Sequence, residues 1–167
     1  FTRSGNTMGK LNSRKLENWQ ITLFEELEKP RTFKWGVSDC VCYAVDVVSK
    51  YTSKDFGIKH IGMFSNPINA YKYGIKYFKE HNISYKPKDT LNNYIMNFWD
   101  HHFERVHINF AQRGDIVATL KVNYLNTISN EANLTVGILM GNDARFVTEK
   151  GYLDLSKNDC QLAWSVK

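Results

Sequence analysis

The spacing of apolar residues changes character once along this chain, and that change restricts the fold more than any other feature. Through the first half they recur at helical spacing, and from residue 115 onward they fall in short β-prone runs broken by Gly, Asn and Asp. Leu16, Trp19, Leu23 and Leu27 predict an amphipathic helix over residues 12–28, stopped by Pro30. A second helix over residues 39–50 puts Val41, Ala44, Val45 and Val48 on one face. Residues 56–66 read as a loop. Asn66-Pro67 is a helix start, an N-cap followed by proline at the first helical position, and that helix ends near His81-Asn82. Asp89 or Thr90 caps a fourth helix carrying Leu91, Tyr94, Ile95 and Phe98. The later runs, 115–121, 134–140, 144–148, 152–155 and 163–166, read as strands. Helices followed by strands predict an α+β domain, its N-terminal helices packed on a C-terminal antiparallel sheet.

A chain of 167 residues is long enough to bury a core. Residues 11–167 read as one domain, without a linker, repeat or low-complexity tract. Residues 1–10 are set apart as a leader or an added remnant, because the chain opens at Phe1 and Met8 is a natural initiator. The net charge of +5 suits an anionic cell wall or an acidic partner, but lysines spread along the chain without a basic run do not predict nucleic-acid binding. No apolar run approaches the roughly 20 residues of a membrane span.

Phe33-Lys34-Trp35-Gly36-Val37-Ser38-Asp39-Cys40 leads into the second helix. It places a thiol in the first turn, after an aromatic-glycine turn and a Ser-Asp capping pair. The free N–H groups and dipole of a helix start favour a thiolate, so Cys40 is a candidate nucleophile flanked by Asp39. The competing reading is a small buried hydrophobe. Cys40 and Cys42 are too close within one helix to bond to each other, a bond from either to Cys160 is not readable from sequence, and reduced thiols are the default.

Four motifs occur in order: Phe33-x-Trp35-Gly36-x-x-Asp39-Cys40, Arg113-Gly114-Asp115-Ile116-Val117, Val136-Gly137-Ile138-x-x-Gly141 and Ala163-Trp164-Ser165-Val166. Together they resemble the NlpC-type branch of the papain-like cysteine peptidases. More closely, they resemble a phage and prophage family of uncharacterised NlpC-like proteins encoded among tail genes, whose pattern includes a cysteine shortly before the final Ala-Trp, here Cys160. The resemblance runs from Trp19 to the C-terminus and implies a papain-like α+β fold. It maps the nucleophile onto Cys40 and the start of the first central strand onto Gly114-Asp115. It expects a catalytic histidine just before Val-Gly-Ile, where this chain has Thr135, and an orienting group near residues 146–148, where no histidine stands. A threonine hydroxyl does not accept a thiol proton near neutral pH, so the usual base is missing.

Of the five histidines, His60 and His107 are the ones that a fold could bring back to Cys40. His101, His102 and His107 match no zinc spacing and read as an exposed, His-rich helix end, and neither a metal nor another cofactor is expected. Glu25-Glu26 and Lys54-Asp55 read as solvent-facing steps, and Trp35, Trp99 and Trp164 as core or interface aromatics. The resemblance therefore implies a virion-associated structural protein of a phage tail or tail tip, made in the bacterial host cytoplasm, with other virion proteins and the cell wall as partners. The alternative is an active hydrolase cutting peptidoglycan stem peptides with Cys40, and a third reading is an acyl-binding or acyltransferase variant.

Overall fold

The computed structural model describes residues 15–58, 64–121 and 133–167. Among the described residues four helices, α1 (Trp19–Glu28), α2 (Cys40–Tyr51), α3 (Pro67–Glu80) and α4 (Leu91–His102), precede six strands in chain order. The strands are β1 (Glu104–Val106), β2 (Ile116–Thr119), β3 (Thr135–Leu139), β4 (Asp143–Thr148), β5 (Gly151–Ser156) and β6 (Leu162–Ser165). They form one antiparallel sheet in the order β1-β6-β2-β3-β4-β5. The expected α+β arrangement is therefore present.

Strand alternation divides the sheet into two faces. Ile116, Ala118, Val136, Ile138, Val147 and Trp164 pack with the helices. Val117, Leu139, Ala144, Phe146, Cys160 and Ala163 form a smaller cluster on the other side. Trp99 and Trp164 are fully buried core residues, and the Trp164 indole N–H donates to Asp100 Oδ1 at 2.8 Å, tying α4 to β6.

Three helix starts follow directly from sequence. Asn66 accepts from the Asn69 amide at 2.9 Å with Pro67 next to it, and Thr90 is the cap of α4, its hydroxyl accepting from the Asn93 backbone amide at 3.2 Å while Asp89 takes the Asn93 side-chain amide. Asp39 caps α2 through the Cys42 amide at 3.0 Å. The first helix is shorter than its periodicity predicts: it begins at Trp19, and residues 12–14 lie outside the described residues. Lys15 instead bridges Thr52, the Leu16 amide donates to the Tyr51 carbonyl at 2.9 Å, and Asn18 turns the chain with φ 58°. A second correction concerns Glu26, which is buried rather than solvent-facing. Arg31 pairs with it at 2.9 Å and with Asp46 at 3.0 Å, and also donates to the Tyr152 hydroxyl, joining α1, α2 and β5.

The Gly114-Asp115 motif has a structural use. The buried Asp115 carboxylate accepts from the Gln112 amide at 2.8 Å and the Val166 amide at 2.9 Å, closing the end of β6 onto the start of β2. The Tyr51 hydroxyl donates to the Gly114 carbonyl, fastening α2 to the same turn. Asp115→Ala would leave both amides without their acceptor, so chemical denaturation should show a loss of about 2–4 kcal/mol. Asp115→Asn, which keeps one acceptor oxygen, should lose less.

Candidate functional site

Cys40 is the first residue of α2, and the turn before it is held from three directions. The Phe33 amide donates to the Thr148 carbonyl at 2.8 Å, which pins the turn to the end of β4. The Gly36 amide donates to Asp39 Oδ2 at 2.8 Å while Asp39 Oδ1 takes the Cys42 amide, so one carboxylate closes the turn and caps the helix. Gly36 has φ +73°, and a Cβ there would lie 2.1 Å from the Phe64 carbonyl oxygen; only glycine fits.

Cys40, Asp39 and Thr135 line one cavity of about 120 Å³ between the start of α2, helices α3 and α4, and the start of β3. The three residues singled out in the sequence thus come together. Their surroundings disfavour a thiolate at Cys40. Burial pushes the Cys40 thiol up to about 12, and the Asp39 charge adds to the rise, while backbone hydrogen bonds at Val136, Val41 and Cys40 itself oppose it only in part. Cys42 is raised further by burial, and Cys160, raised to about 11 by the same cause, sits in the second cluster. All three cysteines are free.

Among the described residues no histidine lines the cavity. His60 lies outside the described residues. His107 does not fold back: it is exposed and its Nδ1 accepts from the Asn109 amide at 3.1 Å, capping a short 3₁₀ turn. Residues 146–148 supply no orienting group, because Phe146 packs in the second cluster, Val147 faces the helices and the Thr148 hydroxyl donates to the Gly151 carbonyl. No group of three or more metal-ligating side chains is found among the described residues, and no helix there is long and apolar enough to cross a membrane.

His102 corrects the picture of an exposed His-rich helix end. It is 5% exposed and packs edge-on against Phe56 and Phe98. The Tyr77 hydroxyl donates to the Phe56 carbonyl, so the 2.9 Å contact with His102 Nε2 requires the proton on that nitrogen and leaves Nδ1 bare and unpartnered. Burial, with the nearby positive charge of Lys54, lowers the imidazole to about 2 and keeps it neutral. The apolar and aromatic neighbours at helical spacing were the sequence signal for this burial.

The chain belongs to the family described as a domain of unknown function (DUF6950), whose model matches residues 14–166. No curated protein and no solved structure gives a significant match.

Two measurements check this chemistry. Iodoacetamide at pH 7.5 should label Cys40 at least tenfold more slowly than free cysteine, with a rate still climbing about tenfold per pH unit beyond pH 9; Cys40→Ala identifies the labelled thiol. His102 takes up a proton near pH 6.5 when unfolded but only near 2 when folded. The unfolded chain therefore binds the extra proton between those values, and stability contributed by neutral His102 is present above pH 6.5 and falls as pH drops below it. His102→Phe should flatten the pH dependence of unfolding free energy between pH 6 and 4 by about 1.4 kcal/mol per pH unit.

Proposed function

We propose that the chain is a virion-associated structural protein of a phage tail or tail tip, built on a degenerate NlpC-like, papain-like cysteine-peptidase fold. The observation that carries the reading is Thr135, which lines the Cys40 cavity at the position where the resemblance expects the catalytic histidine. A thiol held protonated near 12, with no imidazole lining the cavity among the described residues, supports loss of the hydrolytic reaction. The order of helices before an antiparallel sheet, with the thiol opening the helix packed on β3, supports the papain-like assignment. The structural role draws support from α1, which leaves Ile21 and Phe24 exposed one turn apart, an apolar surface suited to neighbouring virion proteins. Synthesis in the bacterial host cytoplasm and incorporation into the particle complete the reading.

Mass spectrometry of purified particles of the encoding phage should find the chain in constant proportion to the tail proteins, and the purified protein should release no peptides from bacterial cell wall. Absence from the particles would overturn the structural role. Peptide release abolished by Cys40→Ala would establish the alternative, an active hydrolase with Cys40 as nucleophile and an unconventional base.

A further inference from the structure

We infer that the cavity beside Cys40 is a binding site for a small uncharged apolar ligand, a group the size of one aromatic ring. The inference stands apart from the virion role, since either can fail without the other.

Its basis is the cavity's lining. Ala70, Gly74, Phe78, Leu91, Ile95 and Phe98 present carbon to the space between α3 and α4. Three of the four tyrosines there give their hydroxyls to backbone carbonyls. Tyr71 donates to the Asp89 carbonyl at 3.2 Å, Tyr94 to the Lys86 carbonyl at 2.7 Å, and Tyr77 to the Phe56 carbonyl. Asn92 Oδ1 accepts from the Leu134 amide at 2.8 Å, and both Asp39 oxygens are taken by backbone amides. These polar groups are engaged by the protein, which leaves the Thr135 hydroxyl and the Cys40 thiol as weakly polar points at one end of a lining that is otherwise mostly carbon. No Lys, Arg or His lines it among the described residues, so a charged ligand would lose its hydration without gaining a partner. At about 120 Å³ the space approaches the roughly 150 Å³ of an apolar cavity that admits benzene. Aromatic walls also favour a ring, through edge-to-face contact.

Gly74 supplies an independent observation. It lies inside α3, where glycine costs about 0.5–1 kcal/mol relative to alanine, and among the described residues a Cβ built on it meets no atom within 4 Å. Neither a described neighbour nor a positive φ requires glycine here. What its missing side chain leaves is open space beside the cavity it lines, one turn after the small Ala70.

The test is titration of the full chain with toluene, followed by amide chemical shifts and thermal unfolding, with benzoate as the charged counterpart. Saturable shifts centred on the starts of α2 and β3 and on α3 and α4 are expected, with a Kd of about 1 mM or tighter. Toluene should raise Tm, and benzoate should bind at least tenfold more weakly. Gly74→Leu should fold with an equal or higher Tm and lose at least tenfold in toluene affinity; Ala70→Leu fills the same space from the next turn and should do likewise. Absence of saturable shifts in the unaltered chain overturns the proposal. So does benzoate binding as tightly as toluene, or undiminished toluene binding in either folded variant.

Discussion

Burial of α2 against the sheet is the interaction on which the rest of this structure depends. Its sequence is a poor helix former, with four valines and two tyrosines in twelve residues. Such residues cost up to about 0.7 kcal/mol each relative to alanine in a helix. Against that, Cys42, Tyr43, Ala44, Val45, Val47, Val48 and Tyr51 are all buried, and a large apolar side chain contributes about 1.5–3 kcal/mol on burial. The packing term wins. Two hydroxyls then fix the helix: Tyr43 donates to the Arg145 carbonyl on β4 at 3.1 Å, and Tyr51 to the Gly114 carbonyl ahead of β2. The position of Cys40 relative to β3 is thus a consequence of core packing.

Cys40 itself is half-buried beside that packed face, and desolvation there sets the chemistry of its thiol. A helix start stabilises an anion by at most about 2 kcal/mol, equivalent to roughly one and a half pH units. Desolvation and the adjacent Asp39 charge act the other way, and the thiol ends near 12. Asp39 serves the backbone well and the thiolate badly, since the carboxylate that closes the turn also repels a second negative charge. An imidazolium partner would reverse this balance; Thr135 cannot.

Legibility in the sequence followed the physical range of each signal. Capping is local, and Asn66-Pro67 and Asp39 were readable because each cap reaches only three residues ahead. The five later strands were readable from β-prone runs between turn residues. β1 was not, because Glu104-Arg105-Val106 is three residues long with two charges at a sheet edge, and only its pairing with β6 makes it a strand. The periodicity overextends the start of α1 because Leu16 keeps helical register while the backbone at Asn18 has already turned left-handed. Glu26 and His102 looked like surface groups because burial of a charged or titratable residue depends on partners far along the chain: Asp46 and Tyr152 for the Glu26–Arg31 pair, Phe56 and Tyr77 for His102. At the site, the coincidence of Cys40, Asp39 and Thr135 was legible. The aromatic cavity was not, since α3 and α4 contribute half of its lining and neither carries a catalytic motif.

That cavity has an energetic meaning that separates it from a leftover active-site cleft. An enclosed void costs about 24 cal/mol per Å³, so one of about 120 Å³ would cost at most about 3 kcal/mol, less where it opens to solvent. An apolar side chain such as alanine or leucine at Gly74 would recover part of that cost and improve the helix as well, and among the described residues nothing within 4 Å of the added Cβ opposes it. The protein thus forgoes two independent gains at one position. On the proposed reading, replacement of a catalytic base by Thr135 would remove a reason to keep a histidine, but would give no reason to keep a hole. Two separate demands therefore shape this pocket: the Thr135 side concerns whether Cys40 can react, and the Gly74 side concerns what the space can hold.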